Sequence, residues 1–403
     1  MDTKIRVHRG PKILITGLHA VDGIAAEVRK LRAAKVLILT DPGVAECGNV
    51  ESVLKPLTDA GIDVGVYDDV VPEPPMGTLH EGIEFVEKNG YDCIIGFGGG
   101  SAIDVAKMTA VLAHTGHHVQ EYVGVDMVPR KGLPLIAIPT TAGTGSEVTA
   151  IAIFSNEEKN VKQGVVSPHL MPDLAIVDPL LTISCPPGVT AASGMDALIH
   201  NMEAFISVNS TMHTDPLARQ GMELISASLR TAVLDGTNVE ARHDMAVGAM
   251  LGGIAFGNAG VGAVHALSYP IGGRFHVPHG VANTLMLPWV MEFNMLACLP
   301  HFREIALALG EQVEGLSLRE IADKAVDAMR QLAVDIGVPQ YLSDVGIPVS
   351  AIEELTEGAL TQTRLLANNP RKLTREEIMQ IYTHAAVRPS SVAERAEAAL
   401  VAH

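Results

Sequence analysis

The sequence predicts an α/β chain in two parts, a doubly wound parallel sheet over residues 1–187 followed by an all-α domain over residues 188–403. In the first half, apolar runs of strand length alternate with helix-like stretches, the pattern of parallel strands joined by crossover helices. From Val189 onward the short runs give way to helical periodicity. The chain's 403 residues, 47% hydrophobic and 19% charged, suffice for two substantial cores and are far from a disordered composition.

After a short start, Lys35–Thr40 is a continuous apolar strand that runs into Asp41-Pro42-Gly43. Ile62–Tyr67 and Asp92–Phe97 repeat the form, with helical stretches at Val50–Ala60 and Leu79–Asn89 between them. The third strand leads into Gly98-Gly99-Gly100-Ser101 and a helical Ala102–Met108. Leu135–Pro139 and Leu174–Val177 complete the strands, and Cys185-Pro-Pro-Gly188 breaks the chain between the two parts. Helices are expected at Ser193–Val208, Pro216–Val233, Ala241–Phe256, Leu318–Ile336 and Arg375–Ala386, and the alanine- and glutamate-rich end from Pro389 reads as a loose helical extension.

A formal net charge of -17 argues against nucleic acid or an anionic membrane surface as partner. Cys47, Cys93, Cys185 and Cys298 are widely spaced with no CxxC pair, which reads as free thiols in a reducing compartment. The opening Met-Asp-Thr-Lys-Ile-Arg carries no signal-peptide core, so a cytoplasmic location is expected. Met245–Leu267 has no Asp, Glu, Lys or Arg and is long enough to span a bilayer, but its glycines, Asn258 and His265 favour a buried helix.

Ligand-binding features fall at strand ends. Three glycines after a strand let a backbone approach a ligand closely, and the free amides at the next helix start favour an anion such as a pyrophosphate. The turn is neither G-x-G-x-x-G nor a P-loop, so a plain strand-to-helix turn explains it equally well. Asp41 could accept hydrogen bonds from an adenosine ribose while repelling the extra phosphate of NADP, or could simply be a turn aspartate before Pro42. Thr140 through Thr149 pack hydroxyls and glycines densely enough to form a second cradle for phosphate, ribose or nicotinamide. Lys162, in a polar stretch, reads alone as a solvated surface lysine, though a cation near a phosphate would be useful.

In the second half, Asp196 and His200 lie four residues apart and leave one face of a helix. Alone the pair is an ordinary polar face. Farther on, His265, His276 and His279 fall in an apolar, glycine-rich segment where unpaired imidazoles would be costly to bury. One carboxylate with three imidazoles, from Asp196, His200, His265 and His279, suits Fe(II) or Zn(II) far better than calcium or magnesium.

Gly98-Gly-Gly-Ser-Ala-Ile-Asp104, Pro139-Thr-Thr-Ala-Gly-Thr144, Gly194-Met-Asp-Ala-Leu-Ile-His200, and Val264-His265 through Pro278-His279-Gly280 resemble, in order and spacing, the iron-containing (group III) alcohol dehydrogenases, to about Ala386. The resemblance implies a nucleotide-binding α/β domain, a helical metal-binding domain, and NAD with a divalent metal, Fe(II) ahead of Zn(II), in the cleft between them. It implies the metal ligands Asp196, His200, His265 and His279, and cofactor contacts from Gly98, Gly99, Gly100, Ser101, Asp104, Thr140, Thr141, Thr144 and Lys162, with Asp41 setting a preference for NAD. Small alcohols, diols or aldehydes would be the substrates, and a homo-oligomer, a dimer or larger, the assembly.

Two positions depart from the family pattern. Tyr269 stands where many members carry a second histidine that helps move the proton; its phenol could relay a proton through the hydroxyl, but with an ordinary pKa of about 10 it is a poorer acid–base group near neutrality than imidazole. Ile151, where lactaldehyde-reducing members tend to have Asn, makes the pocket apolar. Two other readings of the fold are a lyase resembling dehydroquinate synthase and a non-catalytic nucleotide-binding relative. The first draws on a Glu and two His and on several basic residues, of which only Arg274 lies near His265–His279; the four intact ligand positions speak against the second.

Overall fold

The computed structural model describes residues 5–156 and 161–388. Its strands are β1 (Ile13–Thr16), β2 (Lys35–Leu39), β3 (Asp63–Tyr67), β4 (Cys93–Gly98), β5 (Gly124–Val125), β6 (Leu135–Pro139), β7 (Ile151–Asn156), β8 (Val161–Val166) and β9 (Leu174–Val177). The α-helices of the first half are α1 (Ile24–Lys30), α2 (Pro42–Glu46), α3 (Glu51–Asp59), α4 (Leu79–Asn89) and α5 (Gly100–Leu112). Those of the second half are α6 (Pro187–Ile206), α7 (Asp215–Leu234), α8 (Val239–Ala259), α9 (Ala263–Phe275), α10 (His279–Asn294), α11 (Leu299–Ala308), α12 (Leu318–Asp335), α13 (Ile352–Leu360), α14 (Thr363–Leu366) and α15 (Arg375–Ala386).

The expected parallel sheet is present, in the order β1-β9-β6-β4-β2-β3. Its central strands are apolar on both faces because helices cover both. Along β2, Leu37 and Leu39 join one core with α4 and α5, while the alternate Val36 and Ile38 join the other with α1 and α3. The chain runs outward from β2 to β3 and then returns to the other side of β2 for β4, so the crevice at a topological switch point opens at the C-terminal ends of β2 and β4. Asp41 and the Gly98–Ser101 turn sit at those two ends.

Three features depart from the expectations. The start of the chain contributes β1 and α1. A second sheet, β5-β8-β7, is built around an antiparallel β7/β8 pair that includes the polar stretch around Lys162, and it puts Lys162 in a buried position, 7% exposed, not on the solvated surface. The apolar Met245–Leu267 stretch is not one helix, since α8 stops at Gly260, whose φ of 79° favours glycine, and α9 leaves at 103° to it. No single helix among the described residues is long and apolar enough to cross a membrane. The extension from Pro389 lies outside the described residues.

In the second half, α6, α7 and α8 pack together, and α10 packs on both α6 and α9. From Gly194 to Ile206 every residue of α6 is buried. A helix enclosed on all sides must find partners for its polar side chains.

Candidate active site

Asp196, His200 and Glu203 follow one another at four- and three-residue spacing along the buried α6. The break between α8 and α9 turns the chain back so that His265, near the start of α9, faces α6; His279 opens α10 beside it. A ligand atom from each of Asp196, His265 and His279 lies within 4.8 Å of the others. Asp196 Oδ1 is 3.7 Å from His265 Nε2 and 3.8 Å from His279 Nε2. His200 stands outside that tightest set but presents its Nε2 3.1 Å from His265 Nε2. His276, the remaining histidine of the segment, is exposed, adopts a left-handed conformation and ends α9.

The outer atoms of two rings are held in place. His265 Nδ1 is 2.5 Å from Glu203 Oε2, while the other carboxylate oxygen accepts from Val264 N. His200 Nδ1 lies 3.4 Å from Gly143 O. Both contacts suit a proton on Nδ1, which leaves the Nε2 lone pairs facing each other. The Asn283 Nδ2 reaches Asp196 Oδ1 at 2.7 Å, His265 Nε2 at 3.1 Å and His279 Nε2 at 3.2 Å, yet an amide has only two protons for these three acceptors. Its Oδ1 is buried without a partner. A cluster with more lone pairs than protons fits a cation, and a carboxylate with imidazoles fits a borderline divalent metal.

Burial works to raise the Asp196 carboxyl, but the neighbouring imidazoles, His200 foremost, and the Asn283 hydrogen bond hold it down at about 2. Burial lowers His200 to about 4 against the opposing charge of Asp196, and lowers His279 well below the usual imidazole range. Near neutrality these groups are therefore an anion and neutral donors, the protonation states that a metal requires.

The expected cofactor residues gather across the cleft. Gly98, with φ 153°, leaves Asp41 Oδ2 and the Ala102 methyl no room for a Cβ beside it, and a Cβ on Gly100 would meet Thr144 at 2.7 Å. Thr141 lies against Gly99, and Thr140 is buried at the end of β6. Asp41 Oδ1 accepts from Val44 N and so caps α2. Asp104 is fully engaged by the protein, accepting from Ser146 Oγ at 2.5 Å and Ile153 N at 2.8 Å, with Lys107 Nζ at 3.6 Å. Lys162 Nζ bonds Glu73 Oε1 at 2.7 Å, and the Glu73 amide donates to Ser101 Oγ at 3.1 Å.

A cavity of ≈ 210 Å³ joins the two halves, lined by Gly100, Ser101 and Thr144 on one side and by Asp196, His200, His265 and His279 on the other. Ile151 and Phe256 are among its apolar walls and Tyr269 is part of the lining. Burial pushes the Tyr269 phenol up to about 12, against the charge of Arg364, so it stays protonated near neutrality. A second cavity of ≈ 740 Å³ shares Glu73, Ser101, Ser155 and His279 with the first.

Sequence reading missed Glu203, Asn283, Glu73 and Arg364. Glu203 had a usable signal, as it shares the Asp196–His200 helix face. Asn283 lies one turn after His279 and could have been found in the same way. Glu73 and Arg364 carry no local signal, because they come from loops and a short helix that only folding brings to the cavity.

Two family models match the chain, iron-containing alcohol dehydrogenase over residues 11–179 and the C-terminal part of the Fe-containing alcohol dehydrogenase family over 190–386. Long-chain-alcohol dehydrogenase 1 of Geobacillus thermodenitrificans is 45% identical over 375 residues, covering 92% of this chain and 94% of its own. The crystal structure of a 1,3-propanediol oxidoreductase superposes with a TM-score of 0.92 at 38% identity, covering 95% of this chain and 100% of that one. Sulfoacetaldehyde reductase from Bifidobacterium kashiwanohense in complex with NAD+ gives a TM-score of 0.85 at 29% identity, covering 96% and 100%. These matches favour a dehydrogenase over a lyase or a non-catalytic relative, and the chain belongs to the iron-containing alcohol dehydrogenase family.

Proposed function

We propose that this alcohol dehydrogenase interconverts small primary alcohols or diols and their aldehydes with NAD. One observation carries the reading: Asp196, His265 and His279 converge on the same cavity as Gly100, Ser101 and Thr144. Asp196, His200, His265 and His279 would hold one divalent metal, iron(II) or zinc(II), with Glu203 orienting His265 through its Nδ1. When bound, the metal would supply Lewis acidity at the substrate oxygen and NAD would serve as the hydride acceptor.

The remaining roles belong to the protein. The turn Gly98-Gly99-Gly100-Ser101 and the N-terminus of α5 receive the pyrophosphate, and Thr140, Thr141 and Thr144 line the cofactor. Asp41 Oδ2 is left to meet the adenosine ribose. Asp104 acts by holding Ser146 and β7 against α5, and Lys162 contacts the cofactor as half of its pair with Glu73. Tyr269 contributes a neutral hydroxyl to the proton route and does not act as a base. Of the described residues, those within 1–187 form the dinucleotide-binding domain and those within 188–403 the metal-binding domain. A cytoplasmic homodimer is the proposed assembly, supported by the four free cysteines and by the outer edge of β1, where Ile13 is 44% exposed and Leu14 36%.

The test is elemental analysis of anaerobically prepared protein, together with a panel of short alcohols and aldehydes under NAD(H). About one metal per chain and turnover on the panel are expected, by the donor count of such sites. Full metal content and full turnover in His265→Ala would overturn the assignment.

A further inference from the structure

Among the described residues, every charged side chain that lines the cavity is met by polar groups of the protein, with one exception. Glu73 and Lys162 pair with each other, Asp104 is held by Ser146, Ile153 N and Lys107, and Asp196 lies among the imidazoles and Asn283. Arg364 also lines the cavity, and among the described residues no carboxylate or hydrogen-bond acceptor meets its guanidinium. Its helix, α14, packs on α9, which carries His265 and Tyr269, and the charge of Arg364 is felt at the buried Tyr269 phenol. Arg364 is itself exposed, so it stands where the cavity meets solvent. Apolar side chains, including Ile151, Phe256 and Val261, line the same cavity.

We propose that Arg364 is a specificity-determining residue for a carboxylate at the far end of the substrate, so that short ω-hydroxy acids are used in preference to neutral alcohols of equal length. A guanidinium receives a carboxylate through two parallel hydrogen bonds, which an amide or a methyl group cannot match. The apolar walls accept the methylene chain between the two ends, and the hydroxyl end lies at Asp196 and the histidines. The reaction balances without a further reactant. The carbinol C–H bond breaks, its hydride passes to NAD+, and the hydroxyl proton leaves to solvent, giving the ω-oxo acid, NADH and H+ with the carboxylate unchanged.

The inference rests on the alcohol dehydrogenase reading, and its test separates the two. Metal-loaded enzyme with NAD+ is assayed on 3-hydroxypropionate, 3-hydroxypropionamide and 1-propanol, and calorimetry measures the binding of the acid and the amide to wild type, Arg364→Gln and Arg364→Lys. The expected result is a preference of about tenfold for the acid over the amide, the low end for a hydrogen-bonded charge because Arg364 is exposed. Arg364→Gln should bring the acid-to-amide ratio close to one, and Arg364→Lys should restore part of it. Equal use and equal binding of acid and amide by the wild type, or a ratio unchanged in Arg364→Gln, overturns the proposal and leaves the dehydrogenase reading standing. An Arg364-dependent binding preference without turnover of any of the three supports the proposal and overturns that reading.

Discussion

Asp104–Lys107 on α5 and Asp196–His200 on α6 are each a buried acid followed, about one helical turn later, by a basic residue, and both are enclosed by the protein. What surrounds them differs. Lys107 is 0% exposed and its three ammonium protons meet three acceptors, Ser146 Oγ at 2.7 Å, Thr149 Oγ1 at 3.2 Å and Ile151 O at 2.6 Å. Asp104 accepts from Ser146 and Ile153 N, so the group closes on itself and fastens β7 and the Thr140–Thr149 loop to α5. Around Asp196, by contrast, lone pairs from one carboxylate and three imidazoles face one another, and the Asn283 amide that reaches them cannot supply them all. Counting donors against acceptors thus distinguishes a buried charge that the protein itself saturates from one that could hold a cation, where residue type and spacing do not.

The comparison can be broken most directly at Asp196. Replacing it with alanine should remove most of the metal and lower kcat by roughly a thousandfold, the several kcal/mol that Lewis-acid catalysis contributes. Metal retained by Asp196→Ala at wild-type level, measured by elemental analysis, would make the two clusters alike. The converse change is Lys107→Met, which leaves the Asp104 carboxylate buried without its cation and should destabilise the fold by about 3–5 kcal/mol. Denaturant titration reads that loss, while metal bound per folded chain should stay at the wild-type value. A fall in metal content without a fall in stability would reverse the roles assigned to the two groups.

Glu147, also buried beside Lys107, sharpens the contrast. Burial pushes its carboxyl from the ordinary 4.5 up to about 7, against its backbone hydrogen bond and the charge of Lys107. Between those values the folded chain binds more protons than the unfolded one, so this residue makes stability fall as pH rises from 4.5 toward 7 and leaves it low above that. Glu147→Gln should therefore stabilise the protein at pH 8 by up to ~3 kcal/mol and much less at pH 4.5. An equal effect at both pH values in thermal unfolding would rule out the titration. The smallest effect is expected at Asp41: NADP should support much less turnover than NAD, and Asp41→Gly should narrow that gap by roughly tenfold. Equal wild-type rates with the two cofactors would remove the role given to Asp41.

Much of this architecture is readable from local pattern. Leu79–Asn89, Leu174–Val177 and Arg375–Ala386 begin and end where periodicity and caps place them. The β7/β8 pair escaped because Lys162 and Gln163 interrupt β8 with polar side chains that find partners only after folding, Lys162 in Glu73 and Gln163 in Asn156. Helices α9 and α10 escaped because Pro270 and Pro288 lie inside them, and packing in the core overrides that local penalty.

The chain's own order of residues determined the strands of the main sheet, the glycine turn after β4 and the Asp196–His200 pair, because each depends on spacing within a single strand, turn or helix. Tertiary structure alone decided that α8 and α9 part at 103°, bringing His265 to Asp196, and that Glu203 and Asn283 complete the surroundings of the set. It also decided that Asp104 is saturated and Asp196 is not. The physical reason is that a lone pair becomes a ligand or a structural acceptor according to which protons lie within about 3 Å of it, and those arrive from segments far away in the chain.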